Sequence, residues 1–130
     1  MRVLIVDDER SVADTLVMIL QREGHEAASA YNGATALQKI ESFVPDCVIS
    51  DVIMPGMNGI ELCSLIERDY PQCHILLFSR QASTNELVEK AKAQGHTWEL
   101  LAKPVDPDEL LEKLAALQAA SRTSNRLGTH

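Results

Sequence analysis

The chain has 130 residues, 45% of them hydrophobic but only 4% aromatic, which suits one domain with a core of Val, Ile, Leu and Ala. A net charge of −7 without a local basic patch argues against a nucleic-acid-binding surface, and no apolar run approaches the ~20 residues of a membrane span. Cys47, Cys63 and Cys73 form no C-x-x-C pair and sit in apolar stretches, so they read as buried thiols in a reducing cytoplasm rather than as a disulfide framework or zinc site.

Residues 3–6, Val-Leu-Ile-Val, read as a first strand, too short for a signal peptide and closed by Asp7 and Asp8. From Glu9 to Glu23, Val12, Leu16, Ile19 and Leu20 recur at helical spacing until Gly24 stops the helix. Residues 25–30 form a weaker, half-polar strand, and Asn32-Gly33 caps a helix carrying Leu37 and Ile40 that ends before Pro45. Residues 47–50 are a clean strand; a Met-Pro-Gly-Met-Asn-Gly loop leads to a helix over 59–69. A strand at 74–78 follows. Ser83 with Glu86 reads as a capping box for a helix through Leu87, Val88 and Ala91, closed by Gly95. The last strand is placed at 97–102. Asp106 and Pro107 then start a helix running through Leu110, Leu114 and Leu117. Residues 121–130 are polar and aperiodic, a tail or the start of a linker, which leaves 1–120 as the domain.

Strands and helices alternate throughout, and the strands are near-continuous apolar runs. Both features favour a parallel sheet covered by helices on both faces. In such sheets function gathers outside the carboxyl ends of the strands. Those ends carry Asp7 and Asp8, then Asp51, Ser79 and Lys103. Clustered carboxylates resist ionisation unless neutralised. A divalent cation together with Lys103 would cancel the charge of all three. Oxygen ligands without His or Cys point to a hard ion, and Mg²⁺ suits a site with so few carboxylates. The same constellation neutralises a phosphoryl group, and a carboxylate can serve as the nucleophile that forms an acyl phosphate.

The segments "VLIVDDE" (3–9) and "DVIMPGMNG" (51–59), a Ser closing the fourth strand and "KP" at 103–104 together resemble the receiver domain of bacterial two-component response regulators, the single-domain chemotaxis type included. The resemblance implies a flavodoxin-like (βα)5 fold, a five-stranded parallel sheet of order 2-1-3-4-5. It implies that Asp51 accepts a phosphoryl group from a histidine kinase or phosphotransfer protein. Asp8, Asp51 and the Ile53 carbonyl would hold Mg²⁺, with Asp7 acting through a bound water. Lys103 and Ser79 would contact the phosphoryl oxygens, and Pro104 would follow Lys103 through a cis peptide. Ile53 and Gln81 stand where the family tunes dephosphorylation. Phosphorylation would shift the face made by the fourth helix, fifth strand and fifth helix, which is also a candidate homodimer surface. Its target would be another protein or an output domain beyond this chain. Such a module assists its own phosphorylation but is not a turnover enzyme.

The chain departs from the family pattern in three places. Leu100 stands where the family has a Tyr or Phe switch residue, with Trp98 on the same strand face as a substitute. Arg80 replaces a small residue after Ser79. The stretch 95–103 is one residue longer than usual. These departures leave a degenerate, phosphorylation-independent interaction module as the alternative. A Mg²⁺-dependent phosphohydrolase would need a substrate-covering cap for which the chain has no room. Duller roles remain open: Asp7 and Asp8 as helix caps, Asp51 as a turn residue, Trp98 as packing over the sheet edge. His25, His74, His96 and His130 show no mutual spacing and read as surface or strand-end residues.

Overall fold

Residues on each central strand point alternately into two apolar layers, which is why the runs look uniformly hydrophobic in sequence. The computed structural model describes the backbone of residues 1–79 and 81–128 and the side chains of 1–79 and 86–120. Among these, five strands and five helices alternate: β1 (Arg2–Val6), α1 (Arg10–Arg22), β2 (Glu26–Ala30), α2 (Gly33–Phe43), β3 (Cys47–Asp51), α3 (Gly59–Asp69), β4 (His74–Ser79), α4 (Gln81–Ala93), β5 (Glu99–Ala102) and α5 (Pro107–Gly128). The strands are parallel and ordered β2-β1-β3-β4-β5, the flavodoxin-like order expected above.

Leu4, Val6, Val48, Ile75 and Leu77 pack on one face with α2, α3 and Ala91 of α4. Val3, Ile5, Cys47, Ile49, Leu76 and Phe78 pack on the other with Leu16 and Leu20 of α1 and Leu110 and Leu114 of α5. Burying side chains of this size stabilises the fold by about 1.5–3 kcal/mol each. No described helix is long and apolar enough to cross a membrane.

Local signals account for most boundaries. Asn32 accepts the Thr35 amide at the start of α2. Asn58 and Glu61 form a reciprocal capping box at the start of α3. Asp106 accepts the Asp108 amide before α5. Two expectations are corrected. α4 begins at Gln81, so Ser83 is its third residue and not the one before it, and the Ser83 side chain lies outside the described residues. β5 starts at Glu99, because the stretch after Gly95 is taken up in ending α4: the His96 amide bonds the Ala91 carbonyl. α5 continues past Leu117 to Gly128.

Candidate functional site

Parallel strands bring their carboxyl ends to one rim. β1 delivers Asp7, whose amide bonds Ala30 of β2, and β3 delivers Asp51, opposite Phe78 of β4. β5 leads into Lys103, whose amide bonds the Ser79 carbonyl. Asp51 continues the alternation of Cys47 and Ile49, so its side chain emerges on the α1 and α5 side of the sheet.

There the Lys103 ammonium donates to Asp7 Oδ2 at 2.8 Å and to Asp51 Oδ2 at 2.9 Å. Asp7 is fully buried and Asp51 is 7% exposed, whereas Asp8 faces solvent. Asp7 Oδ1 also accepts the Glu9 amide at 2.9 Å, which ties the carboxylate to the entry of α1. The helix-capping role considered for Asp7 and Asp8 is thus limited: Glu9 is the N-cap, with no side-chain capping bond. Asp51 Oδ1 accepts the Ile53 amide at 3.3 Å, which folds the loop back over the acid. Ile53 itself is exposed.

Burial pushes the Asp51 carboxyl above the usual carboxylate range and the charge of Asp7 adds to this; Lys103 and the Ile53 amide offset only part of it. Burial pulls the Lys103 ammonium down, but its bonds to Asp7 and Asp51 outweigh this and hold it above the usual lysine value. One carboxylate oxygen each from Asp7, Asp8 and Asp51 lie within 4.8 Å of one another. This all-oxygen donor set, with a single ammonium against three carboxylates, fits a hard divalent cation.

Glu9 also approaches Lys103, at 3.7 Å, and was not singled out from sequence. It stands directly after Asp7 and Asp8, and that adjacency was the available signal. Among the described residues, Glu9 adds a fourth carboxylate beside Lys103. Ser79 is buried at the end of β4, beside the Lys103 backbone. Pro104 follows Lys103 through a cis peptide bond, as the resemblance implied. Arg80 and the side chain of Gln81 lie outside the described residues.

Leu100 and Trp98 do not join this rim. They line a small void on the opposite face with Ile60, Leu77, Val88 and Ala91, so they do share a side, although Trp98 precedes β5. Gly59 is what lets α3 start beneath the acid. A Cβ there would meet the Asp51 carbonyl oxygen at 2.0 Å, and its amide bonds the Val52 carbonyl at 2.8 Å.

Residues 3–115 match the response regulator receiver domain family. The response regulator MprA of Mycobacterium avium is 34% identical over 117 residues, which are 90% of this chain and 50% of that protein. The DNA-binding response regulator MtrA of Mycobacterium tuberculosis is 31% identical over 115 residues, 88% of this chain and 49% of that protein. The chain therefore spans about half the length of the curated relatives it matches. The chemotaxis response regulator CheY4 of Vibrio cholerae superposes with a TM-score of 0.76 at 35% identity, covering 89% of this chain and 97% of that one. With five parallel strands in the receiver order and the acids and lysine at their carboxyl ends, this chain belongs to the response regulator receiver domain family.

Proposed function

We propose that Asp51 is the phosphoacceptor of a two-component signalling module. The observation that carries this reading is the Lys103 ammonium held between buried Asp7 and Asp51 at 2.8 and 2.9 Å. An Asp51 carboxylate oxygen attacks the phosphorus of a phosphohistidine on a histidine kinase or phosphotransfer protein. The P–N bond breaks, the released imidazole keeps the electron pair and takes up a proton, and Asp51 becomes an acyl phosphate. Lys103 lies against the reacting carboxylate and neutralises charge that moves onto the phosphoryl oxygens. The Ser79 hydroxyl, at the end of the adjoining strand, would donate to one of them. Asp7, Asp8, Asp51 and the Ile53 carbonyl would hold Mg²⁺. When bound, that ion supplies further neutralisation of the phosphoryl oxygens.

Water attacks the phosphorus of the acyl phosphate, its bond to the carboxylate breaks, and inorganic phosphate leaves while Asp51 returns to the free carboxylate, so the module cycles. The acyl phosphate biases the face of α4, β5 and α5, through Leu100 and Trp98, toward a form read by a protein target or an output domain. That face is also a candidate homodimer surface. The net charge of −7 supports a protein partner over nucleic acid for this segment, and a cytoplasmic setting suits a kinase-fed module. A phosphate-independent binding module would not need Asp7, Asp51 and Lys103 in mutual contact.

The test is incubation with acetyl phosphate and Mg²⁺ followed by intact-mass analysis. One added phosphoryl group, absent in Asp51→Asn and with chelator, is expected. No adduct under conditions where Mg²⁺ binds would overturn the reading.

A further inference from the structure

β2 and β5 are the two edges of the sheet, and their outward main-chain groups are treated differently. The register of β2 on β1, with the Asp7 amide bonded to the Ala30 carbonyl, turns Ala28 and Ala30 toward β1 and Ala27 and Ser29 outward. Side chains take up both outward carbonyls: Gln21 Nε2 donates to that of Ala27 at 3.3 Å, and the Lys39 ammonium to that of Ser29. A strand arriving at β2 would have to displace them.

Among the described residues β5 has no such cover. Its register on β4, with the Lys103 amide bonded to the Ser79 carbonyl, turns Leu101 toward β4. The N–H and C=O groups of Leu100 and Ala102 then face outward, because alternate residues of a parallel strand serve the same neighbour. No described group bonds any of these four. Leu100 is 39% exposed and Ala102 is exposed too, so the edge is open to solvent. Two donors and two acceptors in a row are the template that strand addition uses.

The walls beside this edge differ in chemistry. On the α5 side, Glu99, Glu109 and Glu112 line a hollow of about 440 Å³ floored by Ala116 and Leu117. Lys113, the one cation lining it, is committed to Glu99 at 2.9 Å. On the α4 side the lining is apolar, with Leu100 beside Trp98 and Val88. Side chains of a strand alternate between its two faces. A strand that fits both walls therefore carries cations on one face and apolar groups on the other. A second copy of this chain paired through β5 would bring its own three glutamates to the same edge, and like charges facing each other oppose that pairing.

We propose that the β5 edge docks an extended segment of a partner protein. Its main chain pairs with Leu100 and Ala102, its Lys or Arg side chains meet Glu109 and Glu112, and its apolar side chains cover Leu100. Because β5 runs directly into Lys103, such a segment sits one residue from the rim of acids. Its signalling meaning rests on the phosphoacceptor reading of Asp51, whereas the docking itself does not.

The probe is an acetylated, amidated hexapeptide of alternating Lys and Val. It is titrated into the isotope-labelled full chain at about 50 mM salt, without and then with acetyl phosphate and Mg²⁺, and amide shifts are followed by NMR. Shifts centred on Leu100 and Ala102 are expected. Glu109→Gln combined with Glu112→Gln, both at exposed positions, should weaken binding about three- to tenfold, and a Glu-Val peptide should not bind. N-methylating one of the peptide's two alternating sets of residues should abolish binding while the other set tolerates it, a distinction that charge attraction alone would not make. No binding of the Lys-Val peptide in either state, equal binding of the Glu-Val peptide, or indifference to which set is methylated overturns the proposal. So does self-association through β5 in its place, seen by sedimentation. Phosphorylation of Asp51 is read separately from intact mass, so either reading can fail alone.

Discussion

Gly59 sits so close beneath Asp51 that a single added methyl group would come within 2.0 Å of the Asp51 carbonyl oxygen. The contact is with backbone, which cannot swing aside as a flexible side chain would. Gly59→Ala should therefore push β3 and α3 apart at the proposed phosphoacceptor. A loss of about 1–3 kcal/mol is expected from such overpacking, read as a lower urea midpoint at unchanged slope. Acetyl phosphate labelling of Asp51 should slow in the same variant, while a methyl at Gly24, with no heavy atom within 4 Å, should leave labelling unchanged despite its strained φ of +90°.

Removing Lys103 leaves Asp7 buried and without its cation. Lys103→Ala is expected to destabilise by roughly 3–5 kcal/mol at neutral pH, the scale for deleting one partner of a buried pair. Divalent cation should recover part of this, because binding to the folded state alone raises its stability by mass action. Thermal unfolding of wild type and variant, each with chelator and with Mg²⁺, would show whether the recovery is larger in the variant.

The Asp51 carboxyl is held above its ordinary range by burial and by Asp7, against the pull of Lys103. The folded chain then binds this proton more readily than the unfolded chain. Between the ordinary carboxylate value and the raised one, stability falls as pH rises, and at neutral pH the ionised group is a net cost. In chelator at pH 7, Asp51→Asn should raise the unfolding temperature by a few degrees. That gain should shrink as pH is lowered through the raised value. A gap between the two proteins that stays constant with pH would contradict the assignment.

Burial pushes the Cys73 thiol up to about 12 and raises Cys47 and Cys63 as well. All three are free. Iodoacetamide at pH 8 should label the native protein on the order of a hundredfold or more slowly than the urea-unfolded chain, since the thiolate is the reactive form. Cys73, which is only partly covered, should react first, as followed by a mass-spectrometric time course.

Much of the fold was legible because its signals are local. Helical spacing, the Asn32 and Asn58 caps and the glycine stops act over a few residues, and alternation of element types restricts the sheet to a parallel one. The positions of Asp7, Asp8, Asp51, Ser79 and Lys103 were legible for the same reason: each follows directly on an apolar run, and parallel strands must end at a common rim. Ser83 misled because a capping pattern does not say where a helix entered from β4 must begin.

What tertiary structure alone decided are the contacts between groups far apart in the chain. Lys103 reaches Asp7 across 96 positions, and His96 reaches Glu67 across 29. Glu9 joins the rim because β1 and β5 end on the same side, a contact at which only its adjacency to Asp8 hinted. Sequence therefore determined which chemistry the rim carries, since residue type and strand end are written in order. Topology decided which charges meet, because that depends on how crossovers stack elements that no local pattern relates.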